Sequence, residues 1–211
     1  MNYLLSCLIG YLIGSFPTAY IILKKAKGID ITSIGTGNVG AMNSFEVSNS
    51  KMIGLLVLII DALKGLLSVY LTLLFFGIDF IFPALALLFA VLSHCFNPWL
   101  NFKGGRGLAT AAGGAILLFP FMLIVWIILW VIVYIARKDI LFANIWANVM
   151  TLILIFLSSE IAFKYSSLKA DSISSLLLFS SALLIIIFIK HIEPTKELIK
   201  NKSILIKRKN P

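Results

Sequence analysis

Of 211 residues, 60% are hydrophobic and 13% are charged, a balance that a water-soluble globule of this size cannot bury, so a bilayer is the expected solvent. The formal net charge of +9 speaks for membrane topology and anionic headgroups rather than nucleic acid, because the basic residues gather at the ends of apolar runs. Two cysteines, Cys7 and Cys95, lack metal-ligand spacing and read as small buried hydrophobes, with no disulfide and no metal site expected.

A hydrocarbon core about 30 Å thick takes roughly 20 apolar residues per helix. Runs of that kind fall at about 2–23, 52–76, 79–96, 109–135, 140–157 and 173–190. The first has no basic stretch before it and no small-residue cleavage site after it, which favours a retained helix over a signal peptide. Pro120 can divide the long fourth run, and 158–171 holds a weaker apolar stretch. The expectation is an all-α integral membrane protein, one membrane-embedded domain over 1–211, with seven transmembrane helices, or five if one run is only embedded. A cytoplasmic 24–51 connection, rich in lysine, puts the N-terminus outside. An odd number of crossings then brings the C-terminus and its basic tail, 191–211, to the cytoplasm. On that count the connections at about 24–51 and 97–108 share the cytoplasmic face.

The first of these carries Gly35-Thr36-Gly37-Asn38-Val39-Gly40, a match to the dinucleotide-binding G-x-G-x-x-G. That pattern has mechanical meaning only between a strand and the helix of a βαβ unit, whereas here apolar helices flank it, so no nucleotide cofactor is expected. What survives is the ability of glycines to let successive N–H groups converge on an anion, with Thr36, Asn38 and Asn43 adding polar groups. A plain interhelical turn is the alternative.

In the second connection, Asn97 to Gly107, three glycines, Gly104, Gly105 and Gly107, accompany Lys103 and Arg106, and Ala109-Thr110 open the next helix. Cations, bare amides and a helix N-terminus together suit a phosphate group; the plainer reading of the two cations as topology markers does not account for the Gly-Gly between them.

Asp61 and Lys64, in DALKG, lie three residues apart inside an apolar run. Charges at that depth are costly unless paired or facing a polar cavity, which makes them either a polar core near a site or an ion pair that fixes helix packing. His94 and His191 are candidate polar-site groups, each equally readable as a satisfied structural histidine. No Ser-His-Asp order, HExxH or H-x4-D is visible, so any chemistry must rest on positioning and electrostatics.

Taken together, GTGNVGAMN, DALKG and SHCFNPWLNFKGGRGLAT, with GSFPTAYII at Gly14–Ile22, resemble the bacterial acyl-phosphate-dependent glycerol-3-phosphate acyltransferases, the PlsY family. The resemblance implies seven transmembrane helices and a cytoplasmic-side site in the cell inner (plasma) membrane. It implies transfer of a fatty acyl group from acyl phosphate to the sn-1 hydroxyl of glycerol 3-phosphate, giving lysophosphatidate and phosphate, with no cofactor and with membrane lipids as surroundings. It assigns Gly37, Asn38, Gly40 and Asn43 to a phosphate loop, with Thr36 where the family has serine, and Lys103, Gly104 and Arg106 to a second loop. His94 and His191 go to the polar site.

The chain departs from the family pattern at Glu46, where arginine is typical, at 137–145, where serine is expected, and at Pro194, within what is usually H-R-E-N. The resemblance implies that these positions help hold glycerol phosphate. The departures leave open an altered acceptor or an inactive paralogue, and composition alone also admits a transporter of a small phosphorylated anion. Oligomeric state is not readable.

Overall fold

The computed structural model describes the backbone of residues 1–209, with side chains through Ile192 and at Pro194. All regular structure among them is helical: α1 (Asn2–Gly14), α2 (Thr18–Lys27), α3 (Ala41–Ser48), α4 (Lys51–Phe76), α5 (Ile81–Cys95), a single 3-10 turn (Pro98–Leu100), α6 (Leu108–Leu118), α7 (Pro120–Arg137), α8 (Ile140–Leu157), α9 (Ser159–Lys164) and α10 (Ile173–Lys209). Six segments are long and apolar enough to cross a membrane: Asn2–Lys27, Lys51–Phe76, Ile81–Leu100, Pro120–Arg137, Ile140–Leu157 and Ile173–Ile192. The short apolar α6 makes a seventh apolar helix; at 1.5 Å per residue it is roughly 16 Å long, about half a hydrocarbon core.

The division expected at Pro120 is present: α6 ends at Leu118, and Pro120 occupies the first turn of α7, where its missing N–H costs nothing. The sequence expectation ended the last span near residue 190, whereas α10 runs on as one helix with Pro194 inside it. The basic tail beyond Pro194 lies outside the described side chains. Large apolar side chains such as Leu63, Tyr70, Ile128 and Leu178 are exposed, as expected where lipid is the solvent.

Where helices meet, they do so through small residues. A Cβ on Gly10 or Gly14 of α1 would overlap the backbone of Ala86 or Ala90 on α5, and Gly65 of α4 and Gly113 of α6 meet the Thr110 and Ala62 carbonyls of the opposite helix. With no solvent difference between lipid tails and apolar side chains, such close approach is what holds membrane helices together. Gly65→Val is expected to destabilise the fold by about 1–3 kcal/mol through overpacking, read as a lower unfolding midpoint in detergent. An unchanged midpoint would contradict backbone contact between α4 and α6.

The first span is broken at Ser15-Phe16-Pro17, because Pro17 lacks an N–H and disfavours a helical residue before it. A break at membrane depth needs partners for its carbonyls, and distant side chains supply them. Asn97 Nδ2 donates to the Ser15 carbonyl at 2.7 Å and Lys64 Nζ to the Phe16 carbonyl at 2.9 Å, while Trp99 Nε1 donates to the Ser15 hydroxyl at 3.1 Å. Beyond the break, α2 packs Ala19 and Leu23 with Ile31 and Val39 of the first glycine connection and Val57 of α4. This small apolar cluster seats that connection on the bundle.

Candidate phosphate site at one end of the bundle

In the first loop, Gly35 and Gly37 adopt left-handed backbone, φ 64° and 66°, a region that costs an L side chain about 1–2 kcal/mol. The turn closes around the buried Asn43 at the start of α3. Its amide donates to the Asn38 carbonyl at 2.9 Å and to the Ile34 carbonyl at 3.3 Å, and its oxygen accepts from Thr36 N at 3.1 Å. One side chain thereby sets the curvature of the loop. Thr36 is exposed at the tip, and its hydroxyl accepts from Asn38 N at 3.4 Å. Upstream, Asp30 caps the preceding turn; hydrogen bonds from the Thr32 hydroxyl (2.7 Å) and backbone N–H (3.0 Å) hold its carboxyl below the ordinary carboxylate range.

The second loop leaves α5 through Asn97, whose oxygen accepts from Trp99 N at 3.0 Å, and returns past left-handed Asn101, Phe102 and Gly107 into α6. Gly105 N donates to the His94 carbonyl at 3.1 Å. A Cβ on Gly104 would overlap the backbone of His94 and Cys95, and one on Gly105 would overlap the His94 imidazole, so glycine is required there by contact rather than by φ.

The two loops join: Val39 N donates to the Gly104 carbonyl at 3.1 Å, and Lys103 Nζ reaches the Thr32 carbonyl at 3.5 Å. Lys103 is exposed beside them. Arg106 lies within electrostatic range of Lys190 and His191 on α10, and Gly107 packs near Ile187 of the same helix. His191 is 2% exposed, with Nδ1 at 2.8 Å from the Ile187 carbonyl, so Nδ1 carries the proton.

Beneath the second loop, Asp61 and Lys64 form a buried ion pair at 2.8 Å, and His94 Nδ1 lies 3.3 Å from Lys64 Nζ and 3.9 Å from Asp61 Oδ1. The pair is thus part of a larger cluster rather than a closed couple. Lys64 also borders a lateral groove of about 800 Å³ between α1 and α4, lined by Leu12, Ile13, Ile60, Leu63, Leu67 and Tyr70 among others.

Of the sequence candidates, Thr36, Gly37, Asn38, Gly40, Asn43, Lys103, Gly104 and Gly105 gather where the loops join; His94, Asp61 and Lys64 lie below, and Arg106 and His191 sit toward α10. Glu46 is exposed on α3. Arg137 ends α7 and Lys138-Asp139 form the turn to α8, with Asp139 capping α8 through Phe142 N at 3.0 Å. Sequence reasoning missed the Ser15–Pro17 break and the donors that complete it. A proline inside the first apolar run was the available signal.

An all-helical bundle with two glycine loops, cations and buried polar groups at one end defines a class of integral membrane protein with a polar site set among apolar helices. The match to a family model described as glycerol-3-phosphate acyltransferase spans residues 4–201, and the chain belongs to that family. A glycerol-3-phosphate acyltransferase of Ehrlichia canis is 33% identical over 205 residues, 96% of this chain and 98% of the relative. One from Helicobacter pylori is 42% identical over 129 residues, so the alignment spans 58% of this chain and 58% of that relative. The crystal structure of PlsY, an integral membrane glycerol 3-phosphate acyltransferase, in its glycerol 3-phosphate form superposes with a TM-score of 0.77 at 27% identity, covering 95% of this chain and 94% of that one.

Proposed function

We propose that this protein is a glycerol-3-phosphate acyltransferase that uses acyl phosphate as donor and the sn-1 hydroxyl as acceptor, with its site on the cytoplasmic side of the plasma membrane and its N-terminus outside. The observation that carries the reading is the joining of the two glycine loops through Val39 N and the Gly104 carbonyl, beside Lys103. Family membership supplies the acceptor named for its relatives.

The donor is already activated, so no covalent enzyme intermediate is needed. The glycerol hydroxyl oxygen attacks the acyl carbonyl carbon, the new C–O ester bond forms, and the bond from that carbon to the bridging phosphate oxygen breaks. The hydroxyl proton leaves with the inorganic phosphate. Thr36, Gly37, Asn38 and Gly40, shaped by Asn43, bind one phosphate, and Lys103, Gly104, Gly105 and Arg106 receive the other, with His191 beside Arg106. The contribution is alignment and stabilisation of charge on the departing phosphate. The acyl chain lies in the apolar groove between α1 and α4, whose polar member, Lys64, is one contact from the second loop through His94.

Labelled glycerol 3-phosphate, incubated with lipid-reconstituted protein and palmitoyl phosphate, is expected to become lipid-extractable lysophosphatidate, and palmitoyl-CoA is expected not to replace the donor. A second reading, an altered acceptor, rests on Glu46, which puts an anion directly after the phosphate loop. Phosphate release with another polyol phosphate but none with glycerol 3-phosphate would select it.

A further inference from the structure

Lys64 Nζ has three neighbours with lone pairs: Asp61 Oδ1 at 2.8 Å, the Phe16 carbonyl at 2.9 Å and His94 Nδ1 at 3.3 Å. An ammonium has three N–H donors and nothing to accept with, so the ring nitrogen that faces it must accept. Asp61 Oδ1 lies 3.9 Å from the same nitrogen, too far for a hydrogen bond, and meets Lys64 as an ion pair. A proton on Nδ1, in either the neutral or the doubly protonated ring, would set one donor against another. Neutral His94 therefore carries its proton on Nε2.

That nitrogen fills the space a Gly105 side chain would need, which puts the N–H against the glycine turn between Lys103 and Arg106. Among the described residues Nε2 has no hydrogen-bond acceptor opposite it, and the ring's polar contacts are at Nδ1. We propose that the Asp61–Lys64 pair is a positioning device: it locks His94 as the Nε2–H tautomer and so gives the second loop a neutral donor for a phosphoryl oxygen. In this state His94 cannot act as a base through Nε2. The tautomer lock stands on the geometry alone, while the donor role rests on the phosphate reading of the loop given above.

The sequence contains two histidines, and His191 donates through Nδ1 to the Ile187 carbonyl. Protein labelled with 15N-histidine and reconstituted in lipid is therefore expected to show the two rings in opposite neutral tautomers, His94 being the Nε2–H one, assigned by loss of the other set in His191→Gln. Finding His94 protonated at Nδ1, or at both nitrogens, at neutral pH overturns the lock.

Replacing Lys64 alone strands a buried carboxylate, so the informative variant is Asp61→Asn with Lys64→Met. It is expected to release the Nε2–H preference, and an unchanged tautomer overturns the role of the pair. Titration with orthophosphate, followed in parallel by phosphorus resonance, is expected to move the His94 Nε2 signal saturably. Phosphate binding without that movement overturns the donor role while leaving the phosphate site standing. No phosphate binding overturns both.

Discussion

Asn43→Ala is expected to lower acyl transfer to glycerol 3-phosphate by about 100-fold, the scale seen when a remote change misplaces the reacting groups by about 1 Å. The side chain does not need to touch substrate to have this effect. Its three hydrogen bonds hold the Ile34 and Asn38 carbonyls and the Thr36 N–H in the first loop, each worth about 0.5–1.5 kcal/mol net. Without them the loop has cheaper conformations in which Val39 N no longer meets the Gly104 carbonyl. Asn43→Asp sharpens the comparison at equal size: it keeps the acceptor for Thr36 N, loses both donations and adds a negative charge at the phosphate loop, so it is expected to be at least as inactive. Rates are compared on equal amounts of folded protein recovered from membranes. Activity within about threefold of the parent in both variants would show that the loop is not shaped by this residue.

Gly104→Ala is the second large effect, also about 100-fold or more on kcat/KM. Its Cβ would meet the carbonyls of His94 and Cys95 at the end of α5, which is backbone and cannot rotate away, so the loop must shift and the bond from Val39 N to the Gly104 carbonyl is lost. The consequence is separation of the two loops rather than unfolding of the spans. Gly28→Ala is the matching control: it is strained by its φ of 70° but has nothing within 4 Å of the added carbon, and it is expected to cost about 1–2 kcal/mol of stability with near-parental turnover. Similar losses in both variants would point to general glycine intolerance instead.

The helical membrane architecture was legible because its signal is additive: runs of twenty apolar residues are read without knowing what they touch. Pro120 was readable for the same reason, as a local constraint on the backbone. The glycine loops could be read as anion-suited from Gly35–Gly40 and Lys103–Gly107, but their joining could not, since Val39 and Gly104 are far apart in the chain and nothing local encodes that bond. The same holds for Asp61 and Lys64. Their spacing announced a possible pair, yet their third partner, His94, and the Phe16 carbonyl are set by how α1, α4 and α5 pack, with α1 seated on α5 through Gly10 and Gly14.

The broken first span is the instructive miss. Pro17 marks a place where the ladder must fail, and in lipid a failed ladder must be completed from elsewhere. Asn97 and Lys64 do so, which ties both the second loop and the buried cluster to the break.

The central claim is that the joined loops act as one site for two phosphates. Its most direct test is phosphate release from acyl phosphate by lipid-reconstituted protein, with and without glycerol 3-phosphate, for the parent and for Lys103→Ala and Arg106→Ala. Release that depends on the acceptor and falls by about 100-fold or more in both variants is the predicted result. Acceptor-independent release, or release that survives loss of both cations, would contradict it.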